Sequence, residues 1–463
     1  MVYDIEWSNI PRPPWPIGLL GRRIENLVAP SKIRSRLISG LEFLHRFASS
    51  GSLLMRSSEL PSVVALVGFT LLARPTQAIN GTVYAWGSNA FGQLGDGTTD
   101  DRALPFAVPG LSNVAAIGSG GYFLLAVLPD GSVRAVGRNN PYGELGDGTT
   151  TDRRTLVAAV GIANAVAIAG GTEHTLALLS SGGVMGWGRN SSSQLGDGTN
   201  MTPINPEVIP GLSGVRSLAA GATFSLALLA GGTVQSWGSG FNGQLGNGSM
   251  NNATAPTLVP GLSGVVSIAC GVEHGLAVLS DGTVRAWGQN FNGQLGDGTN
   301  SVRTSPVMVS GISTAVAVSA GEDHSLAVLA DGTVRAWGYN NDGELGDGST
   351  TIRLTPVPVV GLHNITTVLA EQVSSFALSS DGRLWAWGNN ILGQLGLGDH
   401  TQRNLPAEVM PPAGMRFTSI AGDANGFFVV ALLAPACRAD FNGSGSLTIQ
   451  DIFDFLAAWF AGC

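Results

Sequence analysis

From about residue 79 onward the apolar positions come in runs of five or six, separated by polar turns that carry glycine. Runs this short read as strands rather than helices. One stretch shows the grammar. Residues 305–309 form an extended run containing a proline, residues 315–319 alternate apolar and small side chains, and residues 324–329 are apolar. Asp331-Gly332 follows, a two-residue hairpin signal, because both central positions of such a turn require positive φ. Residues 333–337 complete the hairpin and end on Trp337-Gly338. The stretch thus predicts four short strands, opened by the proline-bearing run.

The same grammar repeats. Trp86-Gly87 recurs as Trp187-Gly188, Trp237-Gly238, Trp287-Gly288, Trp337-Gly338 and Trp387-Gly388, with Val136-Gly137 in the remaining slot: seven copies, 50 or 51 residues apart. Four strands per repeat at this period predict an all-β fold, a closed seven-bladed β-propeller over residues 79–434. Residues 82–86 read as the last strand of a blade and residues 427–433 as a third strand. Their pairing is expected to complete the seventh blade and leave no open edge.

The run from Trp287-Gly288 through Phe291-Asn292 to Gln294-Leu295-Gly296, with Gly321-Glu322-Asp323-His324 after it, resembles the regulator of chromosome condensation repeat. Trp-Gly, Gln/Glu-Leu-Gly and Gly-x-x-His recur together over nearly all of residues 79–434. The resemblance implies the seven-bladed fold. The histidine is present only at His174, His274 and His324, and Phe123, Phe224, Ser374 and Asn425 take the other slots. The family's best-known role, nucleotide exchange at chromatin, rests on surface loops and a basic tail. No basic tail is present here, so the fold carries over and that function does not.

Charge narrows the partners. The net charge is -8, but residues 1–78 hold nine basic and five acidic groups, which leaves -12 on the remainder. A surface of that sign repels phosphate backbones, and nucleic acid is not an expected partner. Residues 55–78 run from Met55-Arg56 through an apolar stretch to Thr76-Gln77-Ala78, the order of a secretory signal peptide, with a mature start near Ile79. The apolar stretch is too short to span a bilayer comfortably, so no transmembrane span is expected in the mature form. Residues 1–54 then read as an upstream extension or a long n-region. A buried helix of a small N-terminal domain is the alternative.

The candidate chemistry is sparse. Each histidine follows an acid, but equivalent positions on different blades cannot converge within zinc bonding distance, so the histidines are expected to bond within their own blades. The repeated Gly-Asp-Gly-Thr/Ser segments lack a Walker lysine and read as turns. No nucleophile constellation stands out, and no catalytic residue is assigned. The connections after Trp-Gly vary more. Phe241 and Phe291 occupy equivalent slots on adjacent blades, and Arg285 and Arg335 repeat in the neighbouring hairpins. These four are the candidate partner-binding residues, with inter-blade packing as the alternative.

After Pro435 the pattern changes. Asp440, Asn442, Ser444, Ser446, Thr448 and Asp451 fall at calcium-loop positions, with Gly445 at the sharp turn, and an apolar helix is expected over residues 452–460. This resembles one half of a dockerin module over residues 435–463. A Gly/Ser linker with a hydrophobic tail is the alternative. Two serines dilute the charge, so calcium binding is expected to be weak. Cys437 and Cys463 flank the unit and are expected to pair. The reading is a secreted or envelope-displayed propeller that binds a protein, its tail docking to an envelope or assembly receptor. A polysaccharide-acting enzyme, or an enzyme inhibitor on the same fold, is the rival.

Overall fold

The computed structural model describes residues 81–436. Residues 1–54, the signal segment, the calcium loop from Asp440 to Asp451 and the Cys437–Cys463 pair lie outside the described residues. Within them, 28 strands form seven antiparallel sheets of four strands each, the predicted blades. Blades 1 to 6 cover residues 116–163, 165–208, 215–258, 265–308, 315–358 and 365–409. Blade 7 joins the two ends of this region.

Blade 4 shows why each strand sits where it does. Val265–Cys270 is innermost and faces the ring axis. His274–Leu279 lies between the two flanking strands and two neighbouring blades, so it is apolar nearly throughout. Val284–Gly288 is third. Arg303–Met308 is outermost and pairs on one side only, which is where Pro306, lacking an N–H, costs the ladder nothing.

This placement corrects the phase read from the sequence. The proline-bearing run closes a blade instead of opening the next one. Blade 7 is therefore built from two strands of each end. Met415–Ala421 and Phe428–Pro435 come from one end, and Thr82–Gly87 and Arg102–Ser112 from the other. The closing register runs from Thr82 opposite Leu433 to Gly87 opposite Phe428. Closure by pairing of the two ends holds, but the expected division of one strand against three does not. The same register puts Phe428, rather than Asn425, in the slot of the blade histidines, because Phe428 faces Gly87 as His274 faces Gly288.

The core lies between blades. Six tryptophans are fully buried, and each indole Nε1 donates to a main-chain carbonyl of the preceding blade, that of Glu144, Gln194, Gln244, Gln294, Glu344 or Gln394, at 2.7–2.9 Å. The glycine two residues beyond that carbonyl has positive φ and lies under the indole. A Cβ on Gly296 would come within 2.8 Å of Trp337. Trp-Gly and Gln/Glu-Leu-Gly recur together because they are the two halves of one contact.

Candidate functional site: the loop face of the ring

The loops after Trp-Gly and those joining first and second strands emerge at one end of the ring. Six of the seven long loops are wound around a buried asparagine, and in blade 3 Gly240 takes its place and donates its N–H to Asn252 Oδ1 at 3.1 Å. In blade 4, Asn290 Nδ2 donates to Asp297 Oδ1 (3.2 Å) and to the Thr299 carbonyl (3.0 Å), while the Leu295 N–H donates to Asn290 Oδ1 (2.9 Å). Arg303 closes the loop on Asp297 at 2.8 Å. Asn89, Asn139, Asn190, Asn340 and Asn390 play the same part. At Asp96, burial alone would raise the carboxyl, but Arg102, Thr98 and Asn89 outweigh it and hold it at about 2. The Gly-Asp-Gly segments are thus architectural turns.

On this framework Phe241 and Phe291 are 70% and 62% exposed, on adjacent blades and at the same end of the ring. Their neighbours are anchored across blades. Asn242 Nδ2 donates to Glu273 at 2.5 Å and Asn292 Nδ2 to Asp323 at 2.9 Å. The two rings are held out by a fixed backbone and do not pack between blades. Arg285 and Arg335 lie elsewhere. Each is half-buried near the start of a third strand, opposite Met308 or Pro358, one turn from the Asp-Gly hairpin. Asp281 and Asp331 of those hairpins are held below the ordinary carboxylate range by hydrogen bonds from Thr283 and Thr333 and, less strongly, by Arg285 and Arg335. The arginines therefore belong to the opposite end from the phenylalanines, and the four residues do not form one patch.

The three histidines reach across blades instead of staying within their own. His174, His274 and His324 place Nε2 at 3.0, 3.0 and 2.8 Å from Ser225, Ser325 and Ser375 Oγ on the next blade. Each serine hydroxyl donates onward to the carbonyl of Gln194, Gln294 or Glu344. With the serine proton committed, the imidazole must donate from Nε2. Full burial presses all three histidines down to about 3, so they remain neutral. Among the described residues no group of three or more His, Cys, Asp or Glu is placed to hold a metal.

A second group on the loop face was not singled out from sequence. Arg138 and Arg189 both bind Glu173, at 2.7 and 2.6 Å. Arg138 stacks near Phe91 and Tyr122, which meet edge to face at 5.2 Å, and Arg189 lies over Tyr142 at 5.2 Å. The signal available was an arginine directly after the blade glycine in blades 1 and 2 only.

Seven blades locked by Trp-Gly against Gln/Glu-Leu-Gly define a propeller of the regulator of chromosome condensation type. The chain belongs to the RCC1-like domain family, whose profile matches residues 164–431, and the regulator of chromosome condensation (RCC1) repeat profile matches residues 80–127. It is 33% identical over 118 residues to the human E3 ubiquitin-protein ligase HERC2, covering 24% of this chain and 2% of that protein. It is 37% identical over 111 residues to the ultraviolet-B receptor UVR8 of Arabidopsis thaliana, covering 23% and 25%. The chain thus spans a quarter or less of these relatives' length. In three dimensions it resembles human WBSCR16 (TM-score 0.69, 22% identity, 77% of this chain and 99% of that one). It also resembles Prp20p of Saccharomyces cerevisiae (TM-score 0.68, 22% identity, 83% and 96%).

Proposed function

We propose that this propeller is a protein-recognition module that works through its loop face. The observation that carries this is the fixed display of Phe241 and Phe291. Large apolar side chains held in water by a rigid, hydrogen-bonded loop lose little entropy when a partner covers them, and such side chains anchor interfaces. The stacked Arg138, Tyr122 and Phe91 group adds residue types enriched at interface centres. Family relatives fit this reading: yeast Prp20 has been solved bound to Kap60, and its binding to Gsp1p and histones has been examined. Secretion or envelope display, the docking tail and its weak Ca²⁺ loop at Asp440, Asn442, Ser444, Ser446, Thr448 and Asp451 belong to the same proposal and rest on sequence pattern alone.

The test uses the full chain as bait in a lysate of the native source, beside the Phe241→Ala/Phe291→Ala double variant. The expected result is an unchanged melting temperature and loss of a captured protein, equivalent to more than about 2 kcal/mol of affinity. Undiminished capture by the double variant would remove the loop face from the binding reading.

A further inference from the structure

The inner strands leave a cavity of about 190 Å³ on the ring axis, lined by residues of all seven blades. The lining is small, with Gly118, Ala219, Ala269, Ser319 and Ala370 representative. At the loop end of five inner strands stands a glycine: Gly120, Gly171, Gly221, Gly271 or Gly321. A side chain there would strike the next blade. A Cβ on Gly221 would lie 2.6 Å from the Gly271 carbonyl oxygen and closer still to the Phe224 ring.

On blades 6 and 7 that slot holds Glu371 and Asp423. Blade 6 makes room by carrying Ser374 where other blades carry histidine or phenylalanine, and Ser374 Oγ donates to Glu371 Oε2 at 3.3 Å. On blades 2, 4 and 5 the imidazole finds a serine on the next blade. Beyond blade 6 the equivalent residue is Val429, opposite Trp86 as Ser375 is opposite Trp387. Glu371 Oε1 consequently has no partner, although the residue is fully buried. It points at Gly422, beside Asp423. On the next blade Ser119, also buried and on the cavity wall, leaves its Oγ unpartnered. Neither carboxyl is in an ion pair among the described residues. Burial raises Asp423 to about 8, and burial together with Asp423 raises Glu371 well above its ordinary value.

Two unpartnered buried oxygens, Glu371 Oε1 on blade 6 and Ser119 Oγ on blade 1, thus stand on either side of blade 7, where Asp423 Oδ2 accepts the Asn425 N–H at 3.2 Å. Asp423 and Ser119 line the axial cavity, and an acidic pair so buried without a basic partner calls for a cation. We propose that the channel mouth binds an ammonium group on a short alkyl stem, with Glu371 and Asp423 meeting the charge and Ser119 accepting a further N–H. A calcium ion would want six to eight oxygen ligands, and two carboxylates fall short. An ammonium has three donors to satisfy, and the Ala and Gly lining suits an alkyl stem. This site is independent of the protein-binding reading.

The experiment is ligand-observed NMR on the full chain with n-butylammonium, using n-butanol as its uncharged isostere. At about pH 9 Asp423, raised to about 8, is ionised and the ammonium keeps its proton. The expected result is saturable binding of n-butylammonium, at least roughly tenfold tighter than that of n-butanol, with a loss of about tenfold in Glu371→Gln and in Asp423→Asn. Equal binding of the two ligands by the unaltered protein would overturn the proposal without recourse to any variant. So would absence of saturation, displacement of n-butylammonium by Ca²⁺, or undiminished binding in folded variants.

Discussion

Replacing Glu344 by glutamine isolates one buried charge. Five blades carry glutamine at this position (Gln93, Gln194, Gln244, Gln294 and Gln394), and in each its Oε1 accepts the N–H two residues earlier. Glu344 makes that bond through Oε2, from the Asp342 N–H at 3.0 Å, and leaves Oε1 buried and unpartnered. Burial, reinforced by Asp342, pushes its carboxyl from 4.5 up to about 7. Below about pH 4.5 folded and unfolded chains both hold the proton, and nothing is lost. Between 4.5 and 7 the unfolded chain ionises first, so stability falls as pH rises, and above 7 the full penalty applies. At 1.36 kcal/mol per unit that penalty is on the order of 3 kcal/mol. Glu344→Gln removes it and leaves intact the carbonyl that receives Trp387 and Ser375. The variant should match the parent near pH 4.5 and melt roughly 4 °C higher near pH 8. Scanning calorimetry at the two pH values decides this. An equal shift at both, or none at pH 8, would show that Glu344 is not held as a neutral acid.

Ser325→Ala should cost about 2 kcal/mol in a denaturant titration, because it strands the His274 N–H and removes the donor to the Gln294 carbonyl. Deleting residues 79–88 should lower the melting temperature of the whole ring. The lost strand, Thr82–Gly87, lies between two others and carries buried Trp86, so an unchanged melt would contradict the closing register. Peptide mapping without reduction should recover Cys437 linked to Cys463. Free thiols at both would remove the pairing expected from their spacing and from secretion.

The sequence by itself determined the ring. Seven copies of a four-strand unit, with hairpin turns set by Asp-Gly and Gly-Gly, leave few folds other than a propeller, because turn chemistry and strand alternation act between near neighbours in the chain. It also separated the architectural Gly-Asp-Gly loops from the variable slots of Phe241 and Phe291. What it could not decide was which strand partners which. A proline-bearing run looks the same whether it opens a blade or closes one, and only the register showed that Arg303–Met308 belongs with the strand before it. The same holds for every contact between blades. His274 meets Ser325, Arg138 meets Glu173, and Glu371 comes beside Gly422, each pairing residues about 35 to 50 apart. Arg285 and Phe291 are six residues apart yet belong to opposite ends of the ring, because an extended strand carries the chain about 3.3 Å per residue from one rim to the other. Local pattern fixes which residues are strand and which are turn. Packing of one sheet against the next decides which side chains meet.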